Sequence, residues 1–467
     1  MLTGSRRRLL ARPAGLALAA AITLSAAACS GPAAGRGPFV PPGLRDLRGC
    51  PQAPGYTCGE LRVPLDPAGH VAGDLTLQVA VSGAATAPRG VLLFLTGGPG
   101  QPGVPFIPRI AARLGAALAG YRLVMFDQRG TGADALNCPA LQEIMGGSDL
   151  TVPSPAAIRQ CAAGVGPRRE FFATADTVAD IEILRRALGV SRLTLDGVSY
   201  GTYVAEQFAL AHPGEVARLV LDSVVPGGNV DPLQLANMRD TARVLRAVCA
   251  ARRCRFDPAQ DIATVVRRDH DGPALLDTLV AMSVGDPSFG GALVALHAAA
   301  AGRPAALHAL IGQVHAGDAA TAGELSQGLH ASTLCEDLTM PWGGPRTPVS
   351  GRAAALAAAV SRLSPAETWP FDRATAAGNG LIQTCRYWPP EPASGPRIPP
   401  ATRLPHVPIL ILAGGRDLST PIEEDRTELA LAPGARLFYV PTAGHSVQNR
   451  AAGDPALAAL RRFLDAG

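Results

Sequence analysis

The stretch that most constrains this chain is a short apolar strand that runs into Gly197-Val198-Ser199-Tyr200-Gly201 and then into a helix. A strand that turns sharply into a helix around Gly-x-Ser-x-Gly holds the serine hydroxyl exposed at the apex of the turn. Glycine flanks Ser199 because side chains at those two positions would collide across so tight a turn. The pattern is common by itself, so its meaning depends on whether the chain also supplies a base, an acid and an oxyanion site.

Buried strands alternate with helices on both sides of this stretch. Continuous apolar runs, typical of strands covered on both faces, occur at residues 91–95, 122–126, 192–196, 218–222, 408–413 and 436–440. Alternation at 75–81 predicts an antiparallel edge strand, and helical patterns occur at about 175–188, 200–211 and 455–465. This order predicts an α/β fold with a mostly parallel central sheet and helices on both faces.

The alternation stops between residues 223 and 403, where Ala-rich helical segments, prolines and loops replace it. We predict that this segment is a large, mostly helical cap inserted before the last core strands. The two parts of the core would then be residues 49–222 and 404–467. A length of 467 residues suits such a core with an insertion.

The first 28 residues have the composition of an export signal. Arg6, Arg7 and Arg8 supply a charged start, and residues 15–27 are an apolar segment too short to span a bilayer comfortably. The start also fits a twin-arginine signal, so the Sec and twin-arginine routes are both open. We therefore predict that residues 1–28 are a signal peptide and that the protein is exported.

Cys29 lies in a stretch that resembles a bacterial lipoprotein processing site, Leu24-Ser25-Ala26-Ala27-Ala28-Cys29-Ser30. Ala26 stands where leucine is usual, and an ordinary signal peptide cut near Ala28 is the alternative. Residues 29–48 are rich in Gly, Pro and Arg and predict a tether. The expected location is the outer face of the cell membrane, through a lipid on Cys29, or the medium after secretion.

The charge balance gives no sign of a nucleic-acid partner. The formal net charge is +4, and the four arginines of the first 28 residues account for it. Neither Cys-x-x-Cys nor His-x-x-x-His occurs, so we predict no metal site and no cofactor. Membrane contact is expected only through the N-terminal lipid.

Eight cysteines remain after Cys29, an even number that fits an oxidising compartment. Proximity along the chain predicts four disulfides, Cys50–Cys58, Cys138–Cys161, Cys249–Cys254 and Cys335–Cys385. This pairing is one of the 105 that eight cysteines allow.

An acid and a base follow Ser199 in the order that nucleophilic catalysis requires. Asp417 and then His445 each come just after a predicted core strand, where the sites of open α/β sheets form. His445 would accept the hydroxyl proton of Ser199, and Asp417 would orient the imidazole and stabilise its charged form. Asp222 also ends a predicted strand and is the alternative acid.

Two backbone N–H groups are needed to stabilise an oxyanion. The amide of Tyr200, directly after the candidate nucleophile, is one candidate. Gly98, within Thr96-Gly97-Gly98-Pro99-Gly100 at the end of strand 91–95, is the other. A plain Gly/Pro turn is the alternative interpretation of that loop.

Several short motifs occur together along residues 45–465. They are Gly-Gly-Pro-Gly at 97–100, Asp-Gln-Arg-Gly-Thr-Gly at 127–132, Gly-Val-Ser-Tyr-Gly-Thr at 197–202, Arg-Leu-Val-Leu-Asp-Ser at 218–223, Cys-Arg-Tyr-Trp-Pro at 385–389, Gly-Gly-Arg-Asp at 414–417 and Gly-His at 444–445. The combination resembles the tripeptidyl-aminopeptidase branch of the proline iminopeptidase family. The resemblance implies an exported serine exopeptidase of α/β-hydrolase fold, with Ser199, Asp417 and His445 as its triad. Peptides with free N-termini would be its substrates.

Two positions depart from the family's pattern. Thr96 precedes Gly-Gly where His or Asn is usual, which can alter the oxyanion loop. Ala133-Asp134 follows the Asp-Gln-Arg-Gly-Thr-Gly motif where Ser is common. Substrate selection is expected in the cap, whose sequence is the least informative part of the chain.

An exopeptidase of this kind must bind the ammonium of its substrate, which calls for acidic groups in a partly desolvated pocket. Glu336 and Asp337 are candidates because the family carries an acid near the cysteine that corresponds to Cys335. Glu206, on the helix after Ser199, is a weaker candidate. A solvated acid without a role is the alternative for each.

Three functions are compatible with these features. The leading hypothesis is an exported serine peptidase that works through an acyl-enzyme on Ser199. The second is a carboxylesterase or lipase with the same triad, because fold alone does not decide function. The third is a non-catalytic surface-binding lipoprotein, against which the complete Ser–Asp–His order argues.

We predict that Cys29→Ser releases the protein from the membrane fraction, because a lipid on Cys29 is the expected anchor. Cell fractionation followed by immunoblotting measures the distribution, with the wild-type chain as the reference. An unchanged distribution would count against lipidation at this residue.

Overall fold

The structure is a computed structural model that describes residues 41–228, 230–392, 399, 401–450, 453 and 455–466. The predicted signal peptide, Cys29 and most of the predicted tether lie outside the described residues. Within the described ranges, no helix is both long enough and apolar enough to cross a membrane.

A nine-stranded sheet forms the centre of the described part of the chain. Its strands are β1 (Arg45–Gly49), β2 (Tyr56–Pro64), β3 (Asp74–Ser82), β4 (Val91–Leu95), β5 (Arg122–Phe126), β6 (Leu193–Val198), β7 (Val216–Asp222), β8 (Ile409–Gly414) and β9 (Arg436–Val440). Their order across the sheet is β1-β2-β3-β5-β4-β6-β7-β8-β9. The pairs from β1 to β5 are antiparallel, and the pairs from β5 to β9 are parallel.

Helices cover the sheet and fill the segment between β7 and β8. Before β7 lie α1 (Ile107–Leu114), α2 (Pro139–Met145), α3 (Pro155–Val165), α4 (Thr174–Ala187) and α5 (Tyr200–Ala211). The segment between β7 and β8, the cap segment, contains α6 (Leu235–Ala251), α7 (Pro258–Asp269), α8 (Gly272–Gly285), α9 (Gly290–Ala300), α10 (Ala305–Gly317), α11 (Gln327–Asp337), α12 (Val349–Ser361), α13 (Pro365–Thr368), α14 (Arg373–Gly378) and α15 (Gly380–Tyr387). After β8 lie α16 (Ile422–Leu431), α17 (Val447–Arg450) and α18 (Pro455–Asp465).

The parallel strands are apolar throughout because both faces of the sheet are covered. Along β4, Val91, Leu93 and Leu95 pack on the face that carries α4 and α5. Leu92 and Phe94 alternate with them and pack on the opposite face, against α1 and α18. The sheet therefore separates two apolar layers. A site can form beyond the carboxyl ends of its parallel strands, which these layers do not cover.

The cap segment has an apolar cluster of its own, to which α6–α9, α11 and α15 all contribute buried side chains. Leu141 of α2 and Ile158 of α3 belong to the same cluster although they precede β7 in the chain. This apolar cluster is thus built from more of the chain than the cap segment alone.

The antiparallel end of the sheet differs from the sequence-based expectation. Residues 45–48, the end of the predicted tether, belong to β1, and β2 was not predicted at all. β3 pairs with both β2 and β5, so it is an internal strand and not the predicted edge strand. β1 could not be recognised locally because all five of its residues are exposed and it has no apolar face.

The four predicted cysteine pairs all lie at disulfide distance. Their Cα–Cα separations are between 4.9 and 5.1 Å. Cys138–Cys161 joins α2 to α3, and Cys335–Cys385 joins α11 to α15. Two of the crosslinks therefore hold together helices that share the apolar cluster of the cap segment.

Arg129, within the Asp-Gln-Arg-Gly-Thr-Gly motif that follows β5, forms a fully buried ion pair with Asp180 of α4. It donates through Nε to Oδ2 at 2.7 Å and through Nη2 to Oδ1 at 2.6 Å. Its Nη1 also donates to the carbonyls of Leu65 and Phe171. One guanidinium thus connects α4 to the loops after β2 and before α4, so this motif has a structural role.

We predict that Asp180→Asn lowers the free energy of unfolding by about 3–5 kcal/mol, because it leaves the buried Arg129 guanidinium without its counter-charge. Urea unfolding followed by circular dichroism measures the change. Asp74→Asn is the matched control, since it removes one partner of the largely exposed Arg62–Asp74 pair, which contributes little. Equal destabilisation by both variants would contradict the prediction.

Candidate active site

Ser199 occupies the sharp turn between β6 and α5. Its φ of +57° lies in the left-handed region, which a non-glycine residue rarely adopts. A Cβ at position 197 would lie 2.4 Å from the carbonyl oxygen of Gly201, and one at 201 would lie 2.3 Å from that of Leu95. The two glycines are therefore required sterically, as the sequence predicts, and they allow the strained turn that carries Ser199.

The loop after β4 lies directly against Ser199. A Cβ on Gly97 would lie 3.0 Å from Ser199 Cβ and 3.4 Å from its Oγ. Thr96 closes this loop by donating from Oγ1 to the carbonyl of Gln101 at 2.9 Å. Tyr200 is the first residue of α5, and amides of a helix's first turn have no acceptor within the helix. The segments that carry the two predicted oxyanion donors, Gly98 and Tyr200, therefore both adjoin Ser199.

His445 and Asp417 are in contact. Asp417 Oδ2 lies 2.8 Å from His445 Nδ1, and both side chains are buried. Asp417 also accepts from the amides of Ser419 and Thr420 through Oδ1, and from Thr420 Oγ1 through Oδ2 at 2.8 Å. A carboxylate with so many donors is held rigidly, which fixes the orientation of the imidazole.

The same contacts set the protonation of the pair. Burial alone would raise the pKa of Asp417, but the charge and hydrogen bond of His445 and the bonds from Thr420 outweigh it, so this pKa lies below its ordinary value. Burial opposes protonation of His445, yet the Asp417 carboxylate raises the pKa of the imidazole above its ordinary value. The geometry thus favours an ionised aspartate beside an imidazole that is more basic than usual.

Asp222, the alternative acid, binds the chain that follows His445. Its carboxylate accepts from the amides of Val447 and Gln448, each at 2.8 Å. Burial raises the pKa of Asp222 to about 6. Between the two candidate acids, the hydrogen-bond geometry favours Asp417 as the partner of His445, while Asp222 positions the loop.

Ser199 and His445 line one cavity of about 160 Å³, together with Gly97 and Gly98. Asp149, in the loop between α2 and α3, lines it as well and was not singled out from the sequence. No local pattern marks Asp149, because it follows neither a core strand nor a recognisable motif. Only the tertiary structure brings it to the cavity.

The three acids considered for the substrate ammonium lie elsewhere. Glu336 and Asp337 line a separate cavity of about 1080 Å³, where Asp337 accepts from the amide of Thr174 at 3.1 Å. Glu206 is fully buried near Glu428, and burial raises its pKa well above the ordinary value. All three acids are in the described part of the chain, and none of them lines the cavity that contains Ser199.

A serine on a strand-to-helix turn, followed along the chain by a paired aspartate and histidine at the carboxyl ends of parallel strands, is the arrangement of the α/β hydrolases. The family model described as alpha/beta hydrolase fold matches residues 90–449. The chain belongs to this family.

Individual relatives agree with the resemblance found in the sequence. The chain is 30% identical over 188 residues to a tripeptidyl aminopeptidase of Streptomyces coelicolor, covering 36% of this chain and 35% of the relative. It is 29% identical over 202 residues to the serine protease Hip1 of Mycobacterium tuberculosis, covering 38% of each. The matched stretches therefore span little more than a third of either relative.

Proline iminopeptidase of Mycobacterium smegmatis superimposes with a TM-score of 0.40 and 16% identity, covering 87% of this chain and 97% of that one.

We predict that the acid limb of the kcat/KM profile has an apparent pKa above the value of about 6.5 usual for histidine. His445 must be neutral to accept a proton, and its raised pKa keeps it protonated to higher pH, so activity falls as pH drops through that raised value. Asp417→Asn should move the midpoint to lower pH and reduce kcat by roughly 10³–10⁴-fold. Hydrolysis of a chromogenic substrate between pH 5 and 9 measures both effects, and an unchanged midpoint in the variant would contradict this assignment.

Proposed function

We propose that this protein is an exported serine aminopeptidase that releases residues or short peptides from free N-termini. The observation that carries the proposal is the 2.8 Å contact between Asp417 Oδ2 and His445 Nδ1, with His445 and Ser199 lining the same cavity. Peptide bonds are favoured as the substrate because relatives of the chain are named as an aminopeptidase and a serine protease.

The reaction follows from the positions of these groups. Ser199 Oγ attacks the scissile carbonyl carbon while His445 Nε2 takes its proton, and the amides of Gly98 and Tyr200 stabilise the oxyanion. The imidazolium, held by Asp417, then gives its proton to the departing amine as the C–N bond breaks. A water molecule, activated by His445, hydrolyses the acyl-enzyme and regenerates Ser199.

Export is part of the proposal, together with anchoring through a lipid on Cys29. It is supported by the four cysteine pairs at disulfide distance, because disulfides persist in oxidising compartments and are rare in the cytosol. The export signal in residues 1–28 supports the same conclusion from an independent part of the chain.

We predict that Ser199→Ala lowers the turnover of a tripeptide 4-nitroanilide with a free N-terminus by roughly 10³-fold or more, because the variant has no nucleophile. Circular dichroism and the urea midpoint should remain those of the wild type, which separates loss of chemistry from loss of fold. A fluorophosphonate probe should label the wild type and leave the variant unlabelled.

The wild type should cleave the free tripeptide anilide much faster than its N-acetylated counterpart. Equal cleavage of the two would contradict the exopeptidase proposal. Turnover of short acyl esters without turnover of either anilide would replace the peptidase by a carboxylesterase. Failure of the folded wild type to react with the probe would favour a non-catalytic binding protein.

A further inference from the structure

The cavity that contains Ser199 has one carboxylate among the described residues that line it, that of Asp149. The Asp149 side chain is 44% exposed, and the cavity is the space into which it opens. The other charged groups of the lining are His445 and two guanidiniums, Arg109 and Arg450. A cation that enters this cavity therefore has one acidic group to bind and two basic groups to avoid.

Neighbouring hydrogen bonds fix the backbone of Asp149. Ser148 Oγ accepts from the amides of Leu150 and Thr151 at 3.0 and 2.9 Å, and it donates to Asp277 Oδ1 at 2.6 Å. The amide of Gly147 donates to the carbonyl of Asp318 at 2.6 Å. Asp149 thus stands on a loop that is tied to the cap segment on both sides, so its carboxylate is preorganised.

His330 of α11 lies next to Asp149, but its Nε2 forms no hydrogen bond with the Asp149 carboxylate. Its Nδ1 is 3.0 Å from the carbonyl oxygen of Pro99, and a carbonyl only accepts, so Nδ1 carries the hydrogen. In the neutral ring, Nε2 then presents a lone pair, and this atom is buried, has no hydrogen-bond partner and lies 3.5 Å from Asp149 Oδ1. A neutral His330 therefore gives the Asp149 carboxylate no hydrogen bond, and a positively charged donor in the cavity can bind the exposed part of that carboxylate.

The orientation that a peptide substrate must adopt agrees with the position of Asp149 in the cavity. His330 lies between Asp149 and Pro99, the neighbour of Gly98 in the loop that carries a candidate oxyanion donor, so Asp149 is near that loop. The acyl part of a substrate is attached to the carbonyl that points toward that loop, whereas the leaving amine must face His445. An N-terminal ammonium belongs to the acyl part of an aminopeptidase substrate.

We propose that Asp149 binds the N-terminal ammonium of the peptide substrate and thereby selects substrates with a free N-terminus. The proposal rests on the aminopeptidase function proposed above and replaces Glu336, Asp337 and Glu206 in this role.

The test compares Asp149→Asn with the wild type on three substrates: a free tripeptide 4-nitroanilide, its N-acetylated form and 4-nitrophenyl acetate. For the free peptide, the variant should lose roughly tenfold or more in kcat/KM, mainly through KM, because a charge-assisted hydrogen bond is lost. Its loss on the ester should be at least severalfold smaller than its loss on the free peptide, since the ester has no ammonium. Asp149→Glu should recover part of the loss.

Asp46→Asn is the matched control, because it removes one carboxylate from an exposed position on β1, outside the lining of the cavity. It should leave all three activities unchanged. The proposal is overturned if Asp149→Asn cleaves the free peptide as well as the wild type does, or loses ester and peptide activity equally. Failure of the wild type to prefer the free peptide would instead overturn the aminopeptidase function, so the two failures are distinguishable.

Discussion

Asp222 holds the two halves of the candidate active site together. Its backbone carbonyl accepts the amide of Ser199 at 2.9 Å, and its buried carboxylate accepts the amides of Val447 and Gln448. One residue at the end of β7 therefore positions the nucleophile turn on one side and the chain after His445 on the other. A buried carboxylate that accepts two backbone amides is costly to disturb, because each orphaned donor would lose its partner without regaining water.

The cap segment takes part in the same construction. The amide of His445 donates to the carbonyl of Ser283 in α8 at 3.0 Å. On the other side of the cavity, the amide of Ser326 donates to the carbonyl of Gly100 at 3.0 Å. Both loops that frame Ser199 are thus bonded to the cap segment, which supports the walls of the cavity and lines part of it through Val284 and Leu325. A substitution in the cap segment can alter catalysis through these bonds without touching substrate.

The features predicted well from the sequence are those with a strong local cause. The parallel strands were predicted from continuous apolar runs, which occur because both faces of the sheet are covered. Gly197 and Gly201 were predicted because no side chain fits at either position. The four cysteine pairs predicted from proximity along the chain also lie at disulfide distance in the structure. β1 was missed because its exposed residues carry no periodic signal and its pairing with β2 is its only support.

By itself, the amino-acid sequence determined the α/β class through its apolar pattern and the turn at Ser199 through the steric need for glycine. It also determined the order of the candidate acid and base, because each directly follows a predicted strand. The choice between Asp222 and Asp417 required the folded chain, because both follow strands and only three-dimensional geometry brings Asp417 to 2.8 Å from the imidazole. The same holds for Asp149, which reaches the cavity through a loop held by partners that are distant in sequence. Contacts between remote segments leave no local pattern in the sequence, so a residue that such contacts bring to the cavity is visible only in the folded chain.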